Sequence, residues 1–365
     1  MSADTASRRR LAVFLVAALA LLVAPLLAQQ MGGSWVRIMD SALLYVLLAL
    51  GLNIVVGYAG LLDFGYVAFY AVGAYLYALM ASPQLTEISP VLAHLFPGGL
   101  HAPLWLMIPA AALVSGLAGV LLGAPTLKLR GDYLAIVTLG FGEIIRVFVN
   151  NLDTVTNGSQ GLSRIDPATV LGVDLSVRHT LLGVEFANVT QYYYLFLAMV
   201  VASVLICHRL ERSRIGRAWM AIREDEVAAR AMGIDTRNLK LLAFGMGATF
   251  GGVSGVLFAS LEQFVSPQSF GLQESVMIVA MVVLGGMGHL PGVILGAVLL
   301  AALPEVLRHV VGPLRQISGD RIDANVLRQL LIALAMIGIM LVRPRGLWPA
   351  PEHGQAAPGT RRERP

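Results

Sequence analysis

The chain is a succession of apolar runs, each close to the length that crosses a bilayer as a helix. They fall at 11–28, 38–56, 61–81, 104–127, 133–149, 192–207, 241–261, 275–284, 290–307 and 326–342. A spanning helix needs about 20 mostly apolar residues, because the hydrocarbon core is about 30 Å thick and offers no water to its backbone groups. Ten such spans would use on the order of 200 of the 365 positions, which leaves room for loops but not for a separate soluble catalytic domain. Charged residues make up 13% of the chain, against roughly 25% in a soluble domain, so a soluble fold is excluded. The sequence predicts an all-α, polytopic membrane protein with about ten transmembrane helices. Several runs are short or interrupted by Gly or Pro, which sets the range at 8–10 and marks some helices as broken or re-entrant.

Basic residues orient the spans. The run at 11–28 follows Arg8, Arg9 and Arg10, and at 18 residues it exceeds the roughly 7–15 residues of a signal-peptide core, so it reads as an uncleaved first span. With the N-terminus inside, the inner segments collect 18 of the 26 Lys and Arg residues, eight of them between Arg209 and Lys240. The loops at 82–103 and 262–274 hold none and fit the outside. Arg308, Arg315 and Arg321 fall outside on this count. Either 285–292 is a re-entrant break, or that loop is an exception to the rule.

The expected organisation is a cytoplasmic N-terminus at 1–10, a transmembrane domain at 11–349, and a disordered cytoplasmic tail at 350–365, rich in Pro, Gly, Gln and Arg. Within the domain, 150–190 forms an external excursion carrying Asp153, Asp166, Asp174 and Glu185, and 208–240 forms the largest internal loop. The net charge of +4 reports topology rather than nucleic-acid binding; the partner implied by composition is the lipid bilayer.

Several chemistries are excluded. The two lysines, Lys128 and Lys240, each follow a leucine, so there is no phosphate loop of the G-x-x-x-x-G-K-[ST] type and no ATP site of that kind. The seven histidines form no H-E-x-x-H and no pair at helical metal spacing, and the single Cys207 permits neither an intramolecular disulfide nor a cysteine-clustered metal site. No Ser or Asp in the spans has a base as its sequence neighbour, so catalytic and metal residues are expected to be absent.

The most informative stretch is internal. Ala218, Ile222, Ala229 and Met232 fall on one helical stripe, while Arg217, Arg223, Glu224, Asp225 and Arg230 occupy the rest, and Gly233 stands where a helix would stop. A short amphipathic helix between two spans can dock into a groove on a soluble partner, or it can lie on the anionic membrane surface.

The pattern Glu226-x-Ala228-Ala229-x-x-x-Gly233 is similar to the E-A-A-x-x-x-G loop that couples permeases of ATP-binding-cassette importers to their ATPase subunits, with Val227 in place of its second-position alanine. Four further blocks, Asn53 to Tyr75, Gly131 to Arg146, Asn157 to Gly161 and Val283 to Gly296, resemble LivM-type permeases of branched-chain amino acid importers in the family's order. The resemblance covers most of residues 38–342. It implies a permease subunit in a bacterial inner membrane, importing Leu, Ile or Val by alternating access. Gly216, Arg217, Arg223, Glu224, Glu226, Ala228, Ala229 and Gly233 would then contact the ATPase. The resemblance also implies a homologous LivH-type permease, two cytoplasmic ATPase subunits that hold ATP and Mg, and a periplasmic amino-acid-binding protein, with no cofactor in this chain. Urea or short-amide importers have similar permeases. An ion-coupled secondary transporter is the alternative of a different class.

Polar groups inside apolar runs face a bundle interior or a water-filled path more often than lipid. Asn53, Asp63, Thr138 and Glu143 are the candidates for a substrate path. Each can equally be a satisfied interhelical hydrogen bond, and Glu143 with Arg146 three residues on fits an ion pair. Gly57, Gly60 and Gly65 surround Asp63 and predict a broken helix there. Rows of small residues at 115/119/123, 247/251/255 and 288/292/296 predict close helix packing.

Overall fold

A computed structural model describes residues 19–30, 32–96, 99–127, 129, 131–170, 173–181 and 184–317, with further positions between 330 and 348. The N-terminal segment 1–10, the tail 350–365, Lys128, Arg130 and Arg321 lie outside the described residues.

The described chain is overwhelmingly helical. Its longer helices are α1 (Leu19–Gln30), α2 (Gly33–Asn53), α3 (Val67–Met80), α6 (Leu104–Thr126), α7 (Asp132–Asn151), α9 (Asn188–Glu211), α12 (Thr236–Glu262), α13 (Leu272–Gly285) and α14 (Leu290–Ile317). Short helices α4 (Gln84–Ile88), α5 (Pro90–Leu95), α8 (Asp153–Thr156), α10 (Arg214–Glu224) and α11 (Glu226–Ala231) lie between them. Among the described residues, four segments are long and apolar enough to cross a membrane: Gly33–Tyr58, α6, α9 and α12. By contrast, α3 and α13 have only 14 residues each.

Close approach of backbones builds the centre. A Cβ on Gly73 of α3 would lie 2.0 Å from the carbonyl oxygen of Gly252 on α12, and one on Gly255 would lie 2.2 Å from that of Tyr70. On the other side of α12, a Cβ on Gly252 would meet Ser115 Oγ of α6 at 2.2 Å, and one on Gly119 would meet Ala248 at 2.6 Å. The small-residue rows therefore let α12 sit sandwiched between α3 and α6, where dispersion contacts replace the hydrophobic drive that lipid cannot supply. The outward faces of α6, α7 and α9 expose Leu117, Leu121, Ile136, Ile144, Val201 and Leu205, as a lipid-facing surface requires.

The run at 61–81 does not form one helix. After α2 the chain winds into a π-turn, Ile54–Tyr58, in which Ala59 N–H reaches Ile54 O, and residues 60–65 are non-helical before α3 begins. Glycines at 57, 60 and 65 permit this, Gly60 with φ +70°. Residues 286–289 form a tight turn joining α13 to α14, with Gly286 and Gly288 at φ +113° and +84°. Leu347 and Trp348 return to this turn, their N–H groups donating to Leu284 O and Gly285 O.

The excursion at 150–190 is a folded cap. It contains α8, a 3-10 turn at Gly158–Gln160 and two small antiparallel hairpins, β1 (Thr169–Val170) with β2 (Val173–Asp174) and β3 (His179–Leu181) with β4 (Val184–Phe186). Leu162, Ile165 and Ala168 are buried, and Leu162 exchanges both backbone bonds with Val265.

Candidate functional site

The basic loop after α9 folds into two short helices set against the body of the protein. Ser213 caps α10 by accepting from Gly216 N–H at 3.1 Å. Gly216 allows α10 to turn back sharply, since a Cβ there would lie 2.2 Å from Leu210 O. Trp219 is fully buried and donates through Nε1 to Leu239 O at 2.7 Å, which pins α10 to the start of α12. Sequence reasoning passed over this tryptophan, although it lies beside the stripe that was read.

The single amphipathic helix expected over 217–232 is corrected to two. Asp225 adopts an extended conformation, φ −153° and ψ 109°, and its Oδ1 accepts from the N–H groups of Val227 and Ala228 at 2.8 and 3.0 Å. An aspartate that satisfies two amide donors favours starting a new helix over continuing the old one. Ile222 and Ala229 of the predicted stripe are buried and Ala218 is half-buried, but Met232 is 84% exposed, because the break turns α11 away from the line of α10. Gly233, at φ +82°, ends α11: its N–H donates to Arg230 O and that of Ile234 to Ala229 O, the paired bonds of a glycine-terminated helix.

The predicted contact residues divide by direction. Arg217, Glu224, Ala228 and Gly233 are exposed, together with the apolar Ile215, Val227 and Met232. Gly216 and Ala229 are buried. Glu226 turns inward: its Oε2 lies 2.7 Å from Nζ of the buried Lys240, and its Oε1 accepts from Arg230 at 3.0 Å. Arg223 is also exposed, but its guanidinium is bonded to the body, donating from Nη1 to Gly57 O in the π-turn at 2.5 Å.

Of the four path candidates, the structure brings Asp63 and Thr138 together. Asp63 is buried in the break, where its Oδ1 accepts from Gly65 N–H at 2.8 Å and its Oδ2 has no hydrogen-bond partner. Thr138 Oγ1 accepts from Phe64 N–H at 3.1 Å and donates to Ala135 O at 3.1 Å. Ser275 at the start of α13 donates to Phe64 O. A cavity of about 10 Å³ adjoins Asp63, Thr138, Phe69 and Phe244, which admits at most one water in this conformation. A buried carboxylate with one free oxygen, beside backbone groups released from a helix, can bind an ammonium or a hydrogen-bond donor.

Asn53 lies apart from that pair. Its Oδ1 accepts from Gly288 N–H at 2.9 Å, tying the end of α2 to the α13–α14 turn. Glu143 is 44% exposed and paired with Arg146, whose Nε donates to its two oxygens at 3.1 and 3.0 Å. Sequence reasoning missed three further polar features near the other end of α2. Asp40 is fully buried with neither oxygen hydrogen-bonded, Tyr45 donates to Glu274, and Arg37 pairs with Glu262 at 2.8 Å. Asp40 was legible as a charge at the edge of the run at 38–56. The other two join residues more than 200 positions apart.

Comparison with known proteins gives the arrangement a context. Residues 34–340 match the family model of the branched-chain amino acid transport system permease component. The chain is 41% identical over 351 residues, 92% of its length and 75% of the relative's, to the high-affinity branched-chain amino acid transport system permease protein LivM of Salmonella typhimurium. It is 40% identical over 350 residues, with the same coverage, to LivM of Escherichia coli. It is also 24% identical over 315 residues, 84% of this chain and 92% of the relative, to the permease protein LivH of the same transport system in Salmonella typhimurium. No solved structure matches the chain.

Proposed function

The chain belongs to the family of branched-chain amino acid transport system permease components, and on that premise we propose that it forms one transmembrane half of an ATP-driven importer for Leu, Ile or Val. The other half would be a LivH-type permease. Two cytoplasmic ATPase subunits would hold ATP and Mg, and a periplasmic binding protein would deliver substrate. The protein would sit in a bacterial inner membrane with both termini cytoplasmic and about ten membrane-inserted helices. The length of α3 and α13 supports broken or re-entrant elements among them, since 14 residues rise only about 21 Å, short of the roughly 30 Å core.

The observation that carries the reading is the pair α10–α11. A loop helix held by a buried Trp219 and a buried Lys240 cannot move without moving the body, yet it presents Ile215, Val227 and Met232 to the outside among exposed arginines. Apolar side chains ringed by charge suit a groove on a soluble partner, and the rigid mounting suits transmission of force. The break at Asp63 and Thr138 would lie on the substrate path, opened when the helices around it rock.

Co-purification followed by reconstitution tests this. The complex should contain the two ATPases, the second permease and a binding protein whose bound ligand is a branched-chain amino acid, and uptake into vesicles should require ATP. A binding protein that instead holds urea or a short amide would redirect the substrate. Uptake by this chain alone, driven by a proton or sodium gradient, would overturn the reading.

A further inference from the structure

We propose that Arg223 is the positioning residue through which the coupling segment moves the break between α2 and α3. This rests on the importer reading above. It differs from the expectation that Arg223 contacts the ATPase, because the guanidinium of this exposed residue is bonded to the body of the chain.

The π-turn creates the acceptor. In a continuous α-helix, Gly57 O would accept from Leu61 N–H, but Leu61 N–H donates instead to Val55 O at 3.1 Å. The Gly57 carbonyl therefore loses its helical donor inside a buried segment, and Arg223 Nη1 supplies one at 2.5 Å. The arginine side chain reaches that point between Gly60 and Gly288, two glycines far apart in sequence, with Gly57 packed beside them. A Cβ on Gly60 would lie 2.8 Å from Arg223 Cγ, one on Gly288 would lie 2.7 Å from Nη1, and one on Gly57 would strike Asn53 Oδ1 at 2.0 Å and Gly288 N at 2.6 Å. Gly60 and Gly288 also need their positive φ; Gly57 is helical, so its missing side chain answers to space alone.

The contact joins the elements that would have to move together. Asn53 Oδ1 holds the α13–α14 turn through Gly288 N–H, so Arg223, the π-turn and that turn form one junction. Asp63 follows Gly60 by three residues, and α13 meets the break again where Ser275 donates to Phe64 O. A displacement of α10 therefore acts on the stretch that carries Asp63 from both ends. A cavity of about 190 Å³ bordered by Gly60, Leu62, Gly131, Ile222, Arg223 and Lys240 gives the guanidinium somewhere to go. One bond from a guanidinium to a neutral carbonyl releases more readily than a buried ion pair, which suits a contact that must cycle.

The test uses the full importer in vesicles with loaded binding protein, and reads ATP hydrolysed per substrate imported. Arg223→Met keeps the apolar stem over Gly60 and removes the donor; Arg223→Lys keeps a charged donor on a stem one bond shorter. The expected result is at least a fivefold rise in ATP per substrate for the methionine variant and less than a twofold change for the lysine variant, with ATPase subunits retained in both. Arg223→Gln, whose amide falls short of Gly57, gives the same readout should the methionine variant fail to assemble. Import and stimulated hydrolysis that fall by the same factor would overturn the proposal, as would an unchanged ratio. Failure of the unmodified chain to assemble with ATPases would instead remove the importer reading itself.

Discussion

Lys240 and Glu226 form an ion pair, Nζ to Oε2 2.7 Å, that fastens α12 to the first residue of α11. The ammonium is the more enclosed partner, its side chain 8% exposed against 23% for the glutamate. A charge so enclosed depends on its counter-charge, because water cannot replace it. The pair α10–α11 is thus mounted on α12 by an electrostatic bolt as well as by the buried Trp219.

Glu226→Gln should consequently destabilise the protein by about 3 kcal/mol, the lower end of the range for breaking a buried pair, since the glutamate keeps some solvent contact. Adding Lys240→Met should recover most of that loss by removing the stranded charge. Thermal unfolding of the three proteins in one detergent checks this. Equal melting temperatures for the single and double variants would show that loss of the glutamate does not strand the lysine.

Close packing at the α3–α12 crossing leads to a second prediction. Gly73→Ala would place a Cβ 2.0 Å from Gly252 O, with backbone rather than a flexible side chain in the way. The expected cost is about 1–3 kcal/mol, as for overpacking a tight core. Gly140 lies in α7 with nothing within 4 Å of an added Cβ, so Gly140→Ala should be neutral or stabilise by up to about 1 kcal/mol through helix propensity. The same melts would reveal a reversed order, which would place the tight contact elsewhere.

The helices were legible because an apolar run of spanning length has one stable backbone solution, and the break at 60–65 was legible because three glycines surround Asp63. The Glu143–Arg146 pair followed from helical spacing. What escaped was of two kinds. At Asp225 a local competition decided the outcome: aspartate is the one good capping acid in the run Glu224-Asp225-Glu226, but the apolar stripe continuing on both sides masks the break it makes. At Arg223 and Asn53 the partners are backbone groups of Gly57 and Gly288, separated by 166 and 235 residues. Periodicity sorts side chains by face. It carries no information about which distant carbonyl lies opposite.

Gly233 terminates α11 with φ +82°, a conformation closed to proline, whose ring holds φ near −65° and removes the N–H that now reaches Arg230 O. Gly233→Pro should unwind the end of α11 and displace the exposed Met232. Binding-protein-stimulated ATP hydrolysis by the reconstituted complex should then fall at least tenfold. Import at the normal rate by this variant would show that the segment is not the coupling surface.

The cap at 150–190 carries Asp153, Asp166, Asp174 and Glu185, and the structure narrows which of these charges could steer a basic partner. Asp166 lies 2.6 Å from His101, and Arg164 lies 3.1 Å from Glu87, so part of the cap's charge is engaged within the chain. Asp174 turns its Oδ1 to Ser176 N–H at 2.8 Å, a bond that asparagine can keep. Asp153→Asn with Asp174→Asn therefore removes two charges while leaving that turn an acceptor. If the cap steers a basic partner, the double variant should slow binding-protein association roughly threefold at low salt, the scale of a lost long-range attraction. Asp166→Asn alone should do less, because its charge already faces His101. The difference should vanish near 1 M salt, where the screening length falls to about 3 Å from about 10 Å at 0.1 M. An association rate unchanged at low salt would move the docking surface to the loop at 82–103 or to the second permease.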